Sequence, residues 1–339
     1  MNKEATHPID FVIPWVDGDD PAWQACRDAY LSTSDEAALE FRFRDWGLLK
    51  YWFRGIEKFS PWVNKVHFIT WGHTPEWLNK DCPKLNIVRH EDFIPNQWLP
   101  TFSSHPIELN IHRINGLTDH FVYFNDDTFL ISPVRKTDFF KNGLPCSSAI
   151  LMPFRTVKND WFTPPINNVA ILNEHFAARK TVRENFLKWV NPKYGRLLFS
   201  SLLMMPYPFF YGFKELHIPN SFLKSTFEEV WSKEEEILSE TSSHKFRDRT
   251  DVNQWLMENW QFAKGSFVPR SVKFGKTFYL WEDTLARTEE LSQCITNQSL
   301  HVICINDGDI QPDHFEIVKN QIHAAFEQIL PDASEFEIR

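Results

Sequence analysis

The sequence predicts an α/β protein: a Rossmann-like, largely parallel sheet with an inserted, mainly helical lobe. Three observations predict it. Short apolar, β-branched and aromatic runs alternate with helical patterns over residues 1–132. Two of those runs end in polar tips, Asp17-Gly18-Asp19-Asp20-Pro21 and Asn125-Asp126-Asp127, where strands of an open parallel sheet deliver functional groups. From about Pro133 to Pro269 the chain turns richer in aromatic and helical pattern, and residues 270–339 return to the core with a strand and an amphipathic helix.

Taken in order, Phe11 to Val16 reads as the opening strand and the Asp17 turn as its exit. In Leu48 to Phe59, apolar residues recur at three- and four-residue steps, which predicts a helix with one buried face. Val66 to Thr70 and Leu85 to Val88 follow as strands, then a proline-rich loop to Pro106 and a helix around Ile107 to Ile114. Phe121 to Phe124 is the strand that closes this half. Helical pattern occupies Phe222 to Leu238 and Val252 to Ala263, a strand His301 to Ile305, and a last helix Phe315 to Leu330.

The 339 residues suffice for one large α/β domain or a core with an inserted lobe, and the net charge of -9 argues against a basic stripe for gripping nucleic acid or for broad adhesion to anionic lipid, while leaving room for local basic pockets. Five cysteines at wide, unpatterned spacings fit a reducing compartment better than a disulfide framework. The opening MNKEATHPID lacks an apolar signal segment, and no run approaches the ~20 apolar residues of a spanning helix. The expectation is a soluble, cytoplasmic protein. LLFSSLLMMPYPFFYGF, Leu197 to Phe213, is broken by Pro206 and Pro208 and reads either as core and lobe interface or as a surface touching lipid or a lipid-linked acceptor.

The most informative stretch is residues 101–130, TFSSHPIELNIHRINGLTDHFVYFNDDTFL. Its paired carboxylates, Asp126 and Asp127, suit a divalent cation with hard oxygen ligands and a phosphate-bearing substrate. An Asn/Asp turn after a strand is the plainer reading of the same three residues. Arg42 and Arg44, alternating with aromatics in FRFRD, would face one side of an extended segment. They would bind phosphates, or anchor the next helix through Asp45 as its N-cap.

Four blocks in fixed order carry a resemblance that spans nearly the whole chain: IDFVIPWVDGDDP; FRFRDWGLLKYWFRGIEKFSPWVNKVHFIT running through WGHTPEWLN and LPTFSSHPIELNIHRI to FNDD; LHIPNSFLKS with SSHKFRDRTDVNQWL; and ICIND. Here the chain resembles the Stealth family, phosphotransferases of microbial surface polysaccharides related to the enzyme that tags lysosomal glycoproteins with GlcNAc-1-phosphate. The family often has Asn where Asp17 stands, and commonly a glycine after the NDD segment where this chain has FLIS.

The resemblance implies transfer of a hexose-1-phosphate or N-acetylhexosamine-1-phosphate from a UDP-sugar to a hydroxyl of a growing capsular or exopolysaccharide, releasing UMP, with Mg²⁺ or Mn²⁺ as cofactor. It implies Glu108, Asp127, His217 and Arg247 as catalytic. Asp126 and Asp127 would hold the metal, and Asp17, Arg42, Arg44, Asn125, Asn306 and Asp307 would line the donor side. Residues 1–132 would then bind the nucleotide-sugar, and 133–269, carrying His217 and Arg247, would be the acceptor-side lobe. His217 or Asp127 would accept the proton; His244 and Arg249 flank the arginine. An acidic pair at a strand end also serves a metal-dependent glycosyltransferase releasing UDP, and the 14 tryptophans would suit a non-catalytic glycan-binding subunit. The resemblance makes an oligosaccharide or a lipid-linked polysaccharide the acceptor, and a lipid-linked one would allow peripheral contact with the inner face of the cell membrane or with the capsule assembly machinery.

Overall fold

A computed structural model of the chain describes residues 7–31, 43–154, 163–280, 284–308, 310 and 312–338. The first half runs β1 (Asp10–Pro14), α1 (Pro21–Asp28), α2 (Leu49–Phe59), β2 (Val66–Thr70), β3 (Leu85–Arg89), α3 (Ser104–Asn110), β4 (His120–Tyr123) and β5 (Thr128–Leu130). Then come α4 (Lys136–Phe139), β6 (Phe140–Lys141), β7 (Leu144–Ser147), α5 (Pro164–His175), α6 (Ala178–Glu184), α7 (Phe186–Trp189) and α8 (Leu198–Met204). The chain continues through β8 (Asn220–Leu223), α9 (Lys224–Lys233), α10 (Glu235–Ser243), α11 (Trp255–Ala263), β9 (Val268–Pro269), β10 (Gly275–Tyr279), α12 (Thr284–Thr296), β11 (Val302–Asn306) and α13 (Pro312–Ile329).

The main sheet has the order β3-β2-β1-β4-β8, with the first four strands parallel and β8 antiparallel at the edge. Its strands are apolar on both faces because both faces are covered. Phe11 and Ile13 of β1, Phe68 of β2 and Val122 of β4 point into a core shared with α2 and α13, while Val12, Ile69, Phe121 and Tyr123 point into a second core shared with α9 and α11. The two-residue period of each strand thus divides one sequence between two cores. A smaller sheet, β10-β11-β5, packs Phe278, Ile303 and Phe129 into the core shared with α2 and α13.

Several expectations need correction. Phe222 begins no helix: it lies in β8, opposite Phe121, with the two rings 5.7 Å apart. Asp45 does not cap α2; that position falls to Leu48, and Asp45 Oδ1 instead accepts from the Gly47 N–H at 2.7 Å. The helix expected to Ile114 starts earlier, at Ser104, where the Ser103 hydroxyl accepts from the His105 N–H, and it tightens into a 3₁₀ turn at Ile111–Arg113. The segment after Asp127 is strand β5, held by antiparallel pairing to β11. In the 197–213 stretch only Ser201, Phe210, Gly212 and Phe213 are buried, so most of its apolar side chains are not core.

Candidate active site

Strand order reverses at β1, so the C-terminal ends of β1 and β4 open a crevice. Trp15 and Val16 leave β1 into it and Asn125, Asp126 and Asp127 leave β4. Thr128 donates its N–H (3.1 Å) and hydroxyl (2.7 Å) to the Asn125 carbonyl, closing the NDD tip into a turn. The resulting cleft, about 350 Å³, is completed by Arg44, His217, Arg247, Asn306 and Asp307.

Strand β11 fixes the inner carboxylate. The Ile305 N–H donates to the Asp127 carbonyl at 2.8 Å, and the two-residue period turns Cys304 and Asn306 to the same face. The Cys304 thiol (3.3 Å) and the Asn306 Nδ2 (3.4 Å) both donate to Asp127 Oδ2. Asp127 Oδ1 is buried with no hydrogen-bond partner among the described residues and lies 3.7 Å from His217 Nε2. That distance is too long for a hydrogen bond and suits a charged pair or a group held between the two. His217 Nδ1 stands 3.5 Å from Asn306 Nδ2, too far to fix the ring's tautomer.

Donor atoms of Asp127, His217 and Cys304 lie within 4.8 Å of one another, a set able to hold a divalent cation. Burial, and then the Asp127 charge, push the Cys304 thiol well above the ordinary range, so it serves as an S–H donor to Asp127 and leaves the carboxylate and imidazole as the available ligands. The expected pairing of Asp126 with Asp127 is not the grouping observed, for Asp126 stands outside this set at the cleft wall. Its carboxyl is pushed up to about 7 by desolvation and by the Asp127 carboxylate. Because the residue is exposed, the like charge is the cause that carries weight. A site with one orphaned carboxylate oxygen and one carboxyl under like-charge repulsion is short of positive charge, which fits a cation.

Arg247 approaches from a loop with its own anchor. Buried Asp251 accepts from His105 Nδ1 and His244 Nδ1, each at 2.7 Å, and from the Asp248 N–H at 3.0 Å. The Lys245 carbonyl accepts from the Phe102 N–H at 2.8 Å. His244 is therefore a strut of the loop, and Arg247 projects between the cleft and an adjoining hollow of about 160 Å³, its Nη2 3.4 Å from Ser104 Oγ.

Other expected residues are differently employed. Glu108 lies buried behind Tyr123, whose hydroxyl donates to Glu108 Oε1 at 3.2 Å, and it does not line the cleft. It does not pair with Arg113, which donates to Asn110 Oδ1 at 3.0 Å and lies over Trp231. The Arg44 fork grips Asp307 (2.8 and 3.0 Å) and the Gly308 carbonyl, so both charged groups line the cleft already paired. The Asp17 N–H donates to His73 Nε2 at 2.8 Å while His73 Nδ1 faces Asp20 at 2.9 Å, making Asp17 a loop-shaping residue away from the cleft wall. Arg42 lies outside the described residues. Cys304 was missed as a site residue, although its same-face spacing to Asn306 in ICIND was a readable signal. A roomier hollow, about 490 Å³, lies elsewhere among Arg135, Lys141, Lys193 and Lys273 with Asp138 as its carboxylate, and lacks a paired acidic centre.

Residues 7–35 match Stealth protein conserved region 1 and residues 42–146 match conserved region 2. The chain is 40% identical to a capsular polysaccharide phosphotransferase WcwK of Streptococcus pneumoniae over 97% of its length and 98% of that protein's. It is 40% identical over both full lengths to a receptor polysaccharide phosphotransferase WefC of Streptococcus oralis. It is 38% identical to an exopolysaccharide phosphotransferase cps2G of Lactiplantibacillus plantarum, over 97% of this chain and 96% of that one. With a crevice of this chemistry and matches of this extent, the chain belongs to the Stealth family and is a transferase.

Proposed function

We propose that the enzyme transfers a hexose-1-phosphate or N-acetylhexosamine-1-phosphate from a UDP-sugar to a hydroxyl of a growing surface polysaccharide. The observation that carries this reading is the convergence of Asp127, His217 and Arg247 on one cleft at the reversal of strand order. An acceptor oxygen forms a bond to the β-phosphorus, the bond from that phosphorus to the bridging oxygen breaks, and UMP leaves. His217 Nε2 takes the acceptor proton, and Asp127, 3.7 Å away, stabilises the imidazolium formed. Arg247 supplies a planar fork for the transferring phosphoryl oxygens. Asp127, through its orphaned Oδ1, would hold Mn²⁺ or Mg²⁺, with Asp126 adding a second carboxylate from the cleft wall once the cation draws it in, and the bound ion would neutralise the donor's diphosphate. Glu108 acts through Tyr123 as a positioning residue. The donor's uridine lies on the β1 side, near Trp15, Asn125, Asn306 and the Arg44–Asp307 pair.

Mass spectrometry of the purified enzyme with UDP-sugars, Mn²⁺ or Mg²⁺ and capsule-type oligosaccharides tests this. UMP together with an acceptor heavier by a sugar phosphate is the expected product pair. UDP with a sugar-only mass shift would make the enzyme a glycosyltransferase.

A further inference from the structure

Exposed apolar side chains are concentrated in one place. Of the fourteen large hydrophobic residues exposed among those described, eight lie between Phe186 and Tyr211. Phe186 and Leu187 belong to α7, and Phe199, Leu202 and Leu203 to α8; the turn after α8 adds Tyr207, Phe209 and Tyr211. Helix α8 is inverted relative to an ordinary surface helix. Its hydroxyls face the protein: Ser201 Oγ accepts from the Leu151 N–H at 2.9 Å, and Ser200 Oγ donates to the Leu151 carbonyl at 3.0 Å. Phe199, Leu202 and Leu203, at positions i, i+3 and i+4, form one helical face and are 67%, 45% and 59% exposed.

The patch is held in shape. Phe210 is pinned by Asn173, whose side chain accepts from its N–H (2.8 Å) and donates to its carbonyl (2.9 Å), and the Arg179 Nε donates to the Pro206 carbonyl at 2.6 Å. The outward direction of the aromatics is therefore built into the fold.

Positive charge accompanies it. Between Ala178 and Leu197 stand Arg179, Lys180, Arg183, Lys188, Lys193 and Arg196 against Glu184, in a chain whose net charge is -9; Lys188 and Lys193 turn to the Gly265 and Pro269 carbonyls, which leaves Arg179, Lys180, Arg183 and Arg196 for the patch. Arg179 and Arg183 line a shallow groove together with Phe186, Met205 and Pro206, so cations and apolar groups share one surface. No helix among the described residues is long and apolar enough to cross a membrane. An aromatic and leucine face rimmed by Lys and Arg is the composition of a surface that lies in the headgroup region of a bilayer.

We propose that this face seats the enzyme on an anionic lipid bilayer. The α8 side chains and the 206–211 turn enter the boundary between headgroups and acyl chains, and the α6 cations meet lipid phosphates. The proposal stands independently of the nucleotide and sugar assigned above.

The test is flotation of the purified full chain with vesicles of phosphatidylcholine alone and with phosphatidylglycerol added. Binding should be about tenfold or more tighter to the anionic vesicles and should weaken with salt. Phe199→Ser with Leu203→Ser should abolish it, and Lys180→Glu with Arg183→Glu should erase the preference for phosphatidylglycerol. Both double variants should melt like the wild type and keep turnover on soluble donor and acceptor. Failure of the wild-type chain to float with anionic vesicles overturns the proposal, as does binding that survives Phe199→Ser with Leu203→Ser. So does a wild-type dimer, seen by light scattering, that this variant converts to monomer without any vesicle binding, since the occupant is then a second copy.

Discussion

Asp127 has its two oxygens in different situations, and the difference sets what substitution should do. Oδ2 is satisfied by Cys304 and Asn306, while Oδ1 is buried toward His217 without a hydrogen-bond partner among the described residues. Asp127→Asn preserves shape and removes the charge, so turnover should fall by about 10²–10⁴ with little change in melting temperature. His217→Ala should cost a similar factor and remove the ascending limb of the kcat/KM pH profile; an unchanged limb would transfer the proton-accepting role to Asp127. The strut beneath Arg247 gives a separate pH signature. Asp251 holds the His244 pKa above 6.5, so this pair stabilises the fold below that value and loses its effect as pH rises through the folded pKa. Asp251 is opposed by burial, yet hydrogen bonds from His105 and His244 hold it below 3.8, so its contribution is present above 3.8 and lost as pH falls through the folded value. Urea melts across pH should therefore show stability declining at both ends. His244→Gln should flatten the upper decline and weaken the lower one without removing it, since His105 still holds Asp251. At this scale the sequence exposed through chain neighbours only the NDD tip with Asp127, while His217 and Arg247, which line the same cleft, came from the family resemblance alone. It hid what depends on distant partners: that Glu108 sits behind Tyr123, that Arg44 is taken by Asp307, and that Asp127 groups with Cys304.

Elements that follow a local period were legible, and those created by long-range pairing were not. α2, β2 and β11 appear close to where apolar periodicity puts them, because each buries a face its own sequence defines. β5 is three residues long and exists through pairing with β11, more than 170 positions away, and β8 is a four-residue edge strand that reads as the start of a helix. The loop after β1 shows how one small residue lets two elements meet. A Cβ at Gly18 would lie 2.1 Å from the Phe43 carbonyl oxygen, so the segment carrying Phe43 and Arg44 rests directly on this glycine. Gly18→Ala must push that backbone aside, which overpacking places at about 1–3 kcal/mol. The displaced segment carries the Arg44–Asp307 pair of the cleft wall. The expected result is a raised KM for the nucleotide-sugar with a smaller effect on kcat; unchanged donor saturation would show that this wall does not touch the donor.

At the scale of the whole molecule, the last described residues close the structure over helix α2. Arg54 of α2 grips Glu337 through two hydrogen bonds of 2.9 Å and also donates to the Leu330 carbonyl. Phe336 is fully buried, its ring 5.1 Å from Phe53, and its carbonyl accepts from the Asn79 N–H at 2.8 Å. Two positions on, Ile338 is 62% exposed, with its N–H on the Trp77 carbonyl. An apolar residue so near the end of the described chain would ordinarily be assumed dispensable, but burial decides the matter rather than position in sequence. Phe336→Ala should destabilise by about 3–5 kcal/mol, the usual cost of emptying a buried aromatic site. Ile338→Ala should stay within about 0.5 kcal/mol, as for an exposed side chain. Arg54→Ala should cost about 3–5 kcal/mol because it leaves the buried Glu337 carboxylate unpaired. Combining it with Glu337→Gln should recover part of that loss, since the orphaned charge is then gone. Denaturant melts of these four chains distinguish a true closure from a loosely docked tail: equal, small losses for Phe336→Ala and Ile338→Ala would mean that α2 and the sheet hold without it.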